Sequence, residues 1–240
     1  MLPARYDSKK VVYYLFVLMG EKTDMEKVMT SFNPLVNGLK FINRFEFPSL
    51  SNISLPLIHS GPISLGEIIY GLCGGMCFTA LDYFNAGAQV PGISNVGDIN
   101  LGLFFYLWDR QLNSLSIGAV EKVISWMLAD DATLARNVAQ AEVPKLRSSL
   151  DAGQPAVLAL VRVRGFSNPT HNHQVTAIGY DLDADTNKLT IYLYDPNHPG
   201  EEPTLNLDLT NPDQGLSLSQ STGEPLRAFF VTDYSKQTPP

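Results

Sequence analysis

Fifteen consecutive residues, Tyr70 to Phe84, constrain this chain more than any other stretch. They hold both of its cysteines, Cys73 and Cys77, with glycine at positions 71, 74 and 75. From Cys77 onward, apolar residues recur at Cys77, Ala80, Leu81 and Phe84, the spacing of one helix face. Cys73 stands at the entrance of that helix, where unpaired backbone N–H groups and the positive end of the dipole favour an anion. Such a setting lowers a thiol pKa toward a reactive thiolate. The neighbouring glycines leave room for a substrate backbone to come close. Cys77 lies on the apolar stripe with Leu81 and Phe84, as a buried small hydrophobe would. Cys73 is therefore the preferred nucleophile and Cys77 the alternative. Either needs a base from elsewhere in the chain.

Composition limits the surroundings of that thiol. At 240 residues the chain can bury one large core without disulfides. An apolar content of 45% and a charged content of 17% describe a globular protein. A net charge of −7, with no long Lys/Arg run, argues against a nucleic-acid partner. Cysteines four positions apart on one helix would form a strained bridge, so no disulfide is expected.

Near the start, Lys9-Lys10 precede the apolar run Val11–Gly20, which looks like part of a secretion signal. Glu21-Lys22-Thr23-Asp24 follow at once and no small-x-small cleavage site is visible, so a buried strand or short helix is preferred. Ten apolar residues are too few to span a bilayer, and no membrane-spanning segment appears elsewhere. A cytoplasmic chain is the expectation, with export as the alternative. Asp24–Phe32 reads as a short helix. A Pro/Asn/Ser-punctuated stretch follows to Pro62, with core candidates Phe41, Phe45 and Phe47. Residues 1–62 are read as an N-terminal extension, either part of the same domain or propeptide-like, ahead of a domain over 63–236.

Beyond the cysteine helix, Gly87–Asn100 is loop. Leu101–Leu112, Ser116–Leu128, Asp131–Ala141 and Val143–Leu150 read as helices, the last two broken at Pro144. From Pro155 the pattern changes. Ala156–Val163 is a β-branched apolar run introduced by the helix stop Asp151-Ala-Gly-Gln-Pro155. His173–Tyr180 and Leu189–Asp195 are two more strands, joined as a hairpin across turn formers at 181–187. Helices first and strands second make an α+β chain. Residues 85–100 and 197–225 are read as pocket-lining loops.

The hairpin carries the second piece of chemistry. If Tyr180 pairs near Lys188, His173 falls opposite Asp195, because the start of one antiparallel strand lies beside the end of the other. An imidazole beside a carboxylate is the base and orienting group that a thiol nucleophile requires. His171-Asn172-His173 also puts two imidazoles on one strand face, a spacing used by zinc sites. No His-Glu-x-x-His or Cys-x-x-Cys pattern accompanies it, and no metal or other cofactor is expected. The glycines at 71, 74 and 75 are not followed by Gly-Lys-Ser/Thr, so they are not a phosphate loop.

Four segments occur in order: Cys73-Gly-Gly-Met-Cys77-Phe78; Leu146–Leu160; Asn172-His173-Gln174-Val175 with Gly179-Tyr180; and Tyr194-Asp195-Pro196. Together, over residues 64–196, they resemble the papain-like cysteine peptidases of the bacteriocin-processing, leader-peptide-cleaving type. The resemblance implies a papain-like fold, with a nucleophile helix from a helical half packed on a C-terminal antiparallel sheet. It also implies a thiol hydrolase acting on peptide or amide bonds of a peptide or protein substrate. Cys73 would be the nucleophile, as in the bacteriocin-processing type. Papain itself uses the second cysteine of a closer-spaced pair before an aromatic, which would point to Cys77. His173 would be general base and then acid, and Asp195 its orienting group.

One position departs from the pattern. About six residues before the nucleophile the family carries a glutamine that donates to the oxyanion; here Glu67 stands there. Loss of one such donor costs about two to three orders of magnitude in rate. The second functional class is accordingly a papain-like module without catalysis, a binding or structural component of a secreted or injected assembly. The oligomeric state is not legible in the sequence.

Overall fold

The computed structural model describes residues 25–45, 54–57, 61–64 and 71–240. The run Val11–Gly20, Phe47 and Glu67 lie outside the described residues. In chain order the elements are strand β1 (Met25–Met29), short helix α1 (Pro34–Asn37) and the hairpin strands β2 (Ser54–Leu57) and β3 (Gly61–Ser64). Helices α2 (Cys73–Ala86), α3 (Leu101–Ser114), α4 (Ile117–Leu128) and α5 (Asp131–Asn137) follow. A π-helical turn (Val138–Glu142) leads into α6 (Val143–Asp151). The second half contributes β4 (Ala156–Val161), β5 (His173–Asp183), β6 (Lys188–Tyr194), β7 (Thr204–Asp208), β8 (Ser219–Gln220) and β9 (Ala228–Val231).

Caps explain most of the helix boundaries. Asn100, Ser116 and Asp130 each accept from a backbone N–H three residues on, which sets the starts of α3, α4 and α5. α2 stops at Gly87, whose φ of 65° is left-handed, with Ala88 N–H donating to the Tyr83 carbonyl at 2.9 Å. Pro144 does not break the chain into two separate helices. The π turn before it widens the helix by one residue, with Val143 N–H donating to the Val138 carbonyl, and the path continues into α6.

The sheet is antiparallel, in the order β8-β7-β6-β5-β4-β9, with β1 added against the second half of β5. Its two faces are covered by different helices. On one side Leu158, Val175, Ile191 and Phe229 share a core with Trp126, Leu134 and Leu146 from α4, α5 and α6. On the other, Val157, Ile178 and Tyr194 meet Cys77, Phe78 and Leu81 of α2. α2 is in turn covered by α3, where Met76 and Tyr83 pack with Leu103, Phe104 and Leu107. The helix is thus buried on both sides, which is why its polar residues Thr79 and Asp82 are buried too.

Three expectations are corrected here. The helix expected over Asp24–Phe32 does not form in its described part: Met25–Met29 is an edge strand paired with Gly179–Asp183. Its residues favour a helix in isolation, but the open flank of β5 offers a full set of backbone partners. The hairpin register also differs. Tyr180 pairs with Ile191 rather than near Lys188, the turn is confined to 184–187, and a bulge interrupts the ladder between Ala177 and Gly179. Finally, 197–225 is not all loop, since Leu205 and Leu207 alternate inward from β7.

Residues 25–45 are woven into the same body. Thr30 N–H and Oγ1 both donate to the Ile178 carbonyl at 2.8 Å. Phe32 packs against Phe84 and Tyr194, while Phe41 and Phe45 join the α2–α3 core.

Between α2 and α3 lies a fully buried ion pair. Arg110 Nε is 2.7 Å from Asp82 Oδ2, both side chains being shut off from solvent. Asp82 also accepts from Tyr106 Oη (2.9 Å), Tyr234 Oη (2.7 Å) and Gln237 N–H (2.8 Å), while Arg110 donates to the Ser235 carbonyl at 2.7 Å. Helices and C-terminal segment are thereby held to one buried charge. Arg110→Ala strands the Asp82 carboxylate and is expected to lower stability by about 3–5 kcal/mol in urea unfolding. A loss below about 1 kcal/mol would mean that water reaches the pair.

Candidate active site

Cys73 is the first residue of α2, His173 opens β5 and Asp195 follows the last residue of β6. Because α2 packs directly on β5, these three ends converge. His173 Nε2 lies 2.7 Å from Asp195 Oδ1. With Nε2 engaged, Nδ1 is the ring nitrogen left for the Cys73 thiol, which is near enough for the charge of His173 to favour its ionised form. The sequence-derived residues Cys73, His173 and Asp195 therefore meet. The histidine–carboxylate contact forms in a ladder two to three positions off the expected register, because Asp195 lies just past the paired part of β6.

All three groups are buried, and each compensates another's desolvation. Burial pushes the Cys73 thiol up. The hydrogen bond and charge of His173, with backbone N–H groups of Gln174 and Gly74, overcome this and hold it below its ordinary value. Burial opposes charge on His173 too, but Asp195 and then Cys73 raise it to about 9. Asp195 is desolvated yet held below the usual carboxylate range by His173 and the Asn197 N–H, the latter at 2.8 Å. The arrangement favours a thiolate–imidazolium pair over two neutral groups.

Cys77 sits one turn deeper in the same helix. Its sulfur is 3.5 Å from the Gln174 carbonyl oxygen, and burial pushes its thiol well above the ordinary value. It packs with Phe78, Val157 and Ile178 as a core residue. Both cysteines are free thiols.

Gly71 has open space beside it, as expected, but Gly74 and Gly75 serve a different purpose. A Cβ on Gly75 would collide with the Leu107 carbonyl oxygen, and one on Gly74 with Ser114 Oγ and Gln174 Oε1. The space beside them is filled by α3 and β5 rather than left for a substrate. This close approach lets Gln111 Oε1 accept the Gly75 N–H at 2.8 Å, satisfying one donor of the first turn of α2.

Residues not legible as functional from sequence stand behind Asp195. Gln220, from β8, donates to Asp195 Oδ2 at 3.4 Å and to Glu224 Oε2 at 3.2 Å. Arg162 in turn donates to Gln220 Oε1 (3.2 Å) and forks onto both oxygens of Glu224 (3.3 and 2.9 Å). The β7–β8 pairing, invisible locally, brings Gln220 there, and Arg162 reaches it from the end of β4. The two-histidine zinc arrangement does not form around His171, which is exposed in a 3₁₀ turn. Asp195, His198 and Glu224 do bring ligand atoms within 4.8 Å of one another. Asp195 already faces His173 and Glu224 already faces Arg162, so both charges are matched from within the chain.

No protein-family model, curated protein or solved structure matches this chain. Among the described residues no helix is long and apolar enough to cross a membrane.

The opposing influences on His173 give a direct test. Its ring should titrate near 9 by NMR. In Asp195→Asn the carboxylate that raises it is gone while burial remains, so the midpoint should drop by more than about one unit. An unchanged midpoint would show that Asp195 is not what holds the proton.

Proposed function

We propose that this protein is a papain-like thiol hydrolase that cleaves a peptide or amide bond with Cys73, His173 and Asp195. One observation carries the reading: a buried imidazole bonded to a buried carboxylate lies beside a thiol at the first turn of a helix, close enough for each to shift the other's ionisation. Such a combination is costly to bury without use, since each charge must be matched by the next. The four segments of resemblance and the α+β arrangement, with a cysteine helix against an antiparallel sheet, support the same reading.

The chemistry follows from the positions. The Cys73 thiolate attacks the carbonyl carbon, a C–S bond forms, and the carbonyl electron pair moves onto oxygen. The backbone N–H of Cys73, at the positive end of α2, is assigned to that oxyanion. Collapse of the intermediate breaks the C–N bond, and His173 gives its Nδ1 proton to the departing amine. Water then attacks the thioester with neutral His173 taking its proton; the C–S bond breaks, the carboxylic acid leaves, and the Cys73 thiolate and His173 imidazolium are restored. Asp195 keeps the ring oriented through both halves and stays ionised.

Alkylation separates this reading from a papain-like module without catalysis. Iodoacetamide below neutral pH should modify Cys73 rapidly and leave Cys77 untouched. His173→Ala should slow the reaction by more than about tenfold, because the thiol then returns to an ordinary or higher pKa. Slow labelling indifferent to His173 would instead mark an inert thiol. Hydrolysis of any peptide found as substrate should fall above about pH 9, where His173 loses the proton that the leaving amine needs.

A further inference from the structure

The two halves of the site are tied together by a residue from the N-terminal segment, to which the resemblance assigns nothing. Asn43 is buried, 9% exposed, between the residue that precedes Cys73 and the residues that follow Asp195. Its side-chain Oδ1 accepts the Leu72 N–H at 2.9 Å. Its Nδ2 donates to Asn197 Oδ1 at 3.0 Å, and its backbone N–H donates to the Pro196 carbonyl at 2.9 Å. Leu72 is the N-cap of α2 and supplies no side-chain cap of its own. Asn197, at the other end, donates its N–H to Asp195 Oδ1.

From this geometry we infer that Asn43 is a positioning residue for the Cys73–His173–Asp195 site. It makes residues 25–45 a working part of that site rather than a segment to be removed. The inference rests on the function proposed above. An asparagine suits the place because it alone joins a carbonyl acceptor and an amide donor on one short side chain. The acceptor fixes where α2 begins, and hence where the Cys73 sulfur sits. The donor and the backbone N–H fix the turn that carries Asp195. Phe41 and Phe45, buried on either side in sequence, anchor the residue against α2 and α3. Asn43 touches none of the reacting atoms. Its effect reaches the chemistry only through the separation of the Cys73 and Asp195 backbones, and misplacement of about 1 Å can cost on the order of 100-fold in rate.

The test compares the pH dependence of Cys73 alkylation by iodoacetamide in wild type, Asn43→Ala, Asn197→Ala and His173→Ala. Asn197→Ala removes only the Nδ2 bond and keeps the backbone N–H that Asp195 uses. It guards against an Asn43→Ala chain that fails to fold, as read by circular dichroism. If Asn43 positions the site, folded Asn43→Ala should lose at least about tenfold in rate below neutral pH, with the labelling midpoint moved up toward that of an ordinary thiol. Asn197→Ala should shift the midpoint the same way by a smaller amount. A purely structural asparagine would lower the melting temperature of either variant and leave the midpoint where it was, which overturns the inference. Where Asn43→Ala does not fold, an unshifted midpoint in Asn197→Ala overturns it alone. Wild type without His173-dependent labelling below neutral pH would instead bring down the functional reading, and this inference with it. Wild type with that labelling and unshifted Asn43 variants sinks only the role of Asn43.

Discussion

The 2.7 Å contact between His173 and Asp195 is the constraint around which the site is organised. A carboxylate with no exposed surface must be matched by positive charge and hydrogen-bond donors, or it would take up a proton instead. Here the match comes from an imidazole, a backbone N–H at Asn197 and the amide of Gln220. The carboxylate in turn favours the charged imidazole, and the charge of the imidazole favours the ionised form of the Cys73 thiol. Charge on any one of the three is stable only while the others hold theirs. That interdependence is what the sheet and α2 together provide.

A second buried charge plays the corresponding part for the framework. Asp82 and Arg110 face each other between α2 and α3, and the C-terminal residues Tyr234, Ser235 and Gln237 are bonded to the same pair. α2 therefore has a charged group fixed near its middle and the Cys73 thiol at its start. The glycines at 74 and 75 let α3 approach closely enough for both to be enclosed. Small residues at a helix crossing and a polar group beneath it are two sides of one packing solution, since a backbone brought this close needs its donors satisfied by the neighbour, as Gly75 is by Gln111.

Much of this was legible in the sequence where the signal is local. The cysteine helix, the helices over 101–128 and the strands from Ala156 to Tyr194 follow from periodicity, caps and turn formers. The three chemical residues could be named because each ends or opens a recognisable element. What failed was long-range. Met25–Met29 has the composition of a helix and became a strand only because β5 offered an open edge 154 positions away. The bulge between Ala177 and Gly179 has one local sign, the isolated glycine at 179, and a register read without it is misplaced. Gln220, Arg162 and Asn43 have partners far off in the chain, and nothing in their neighbourhoods marks them. Leu205 and Leu207 are a different matter: their alternation was present and readable, and the surrounding Pro, Gly and Asn residues masked it.

The central claim is that Cys73 and His173 exist together as a charged pair. The ultraviolet absorbance of the thiolate, taken as the difference between wild type and Cys73→Ser across a pH titration, measures it without substrate or alkylating agent. The account predicts a thiolate band already present well below about 8.5, the midpoint of an ordinary thiol, and stable until the protein unfolds in acid. A band that appears only at or above that midpoint would contradict it.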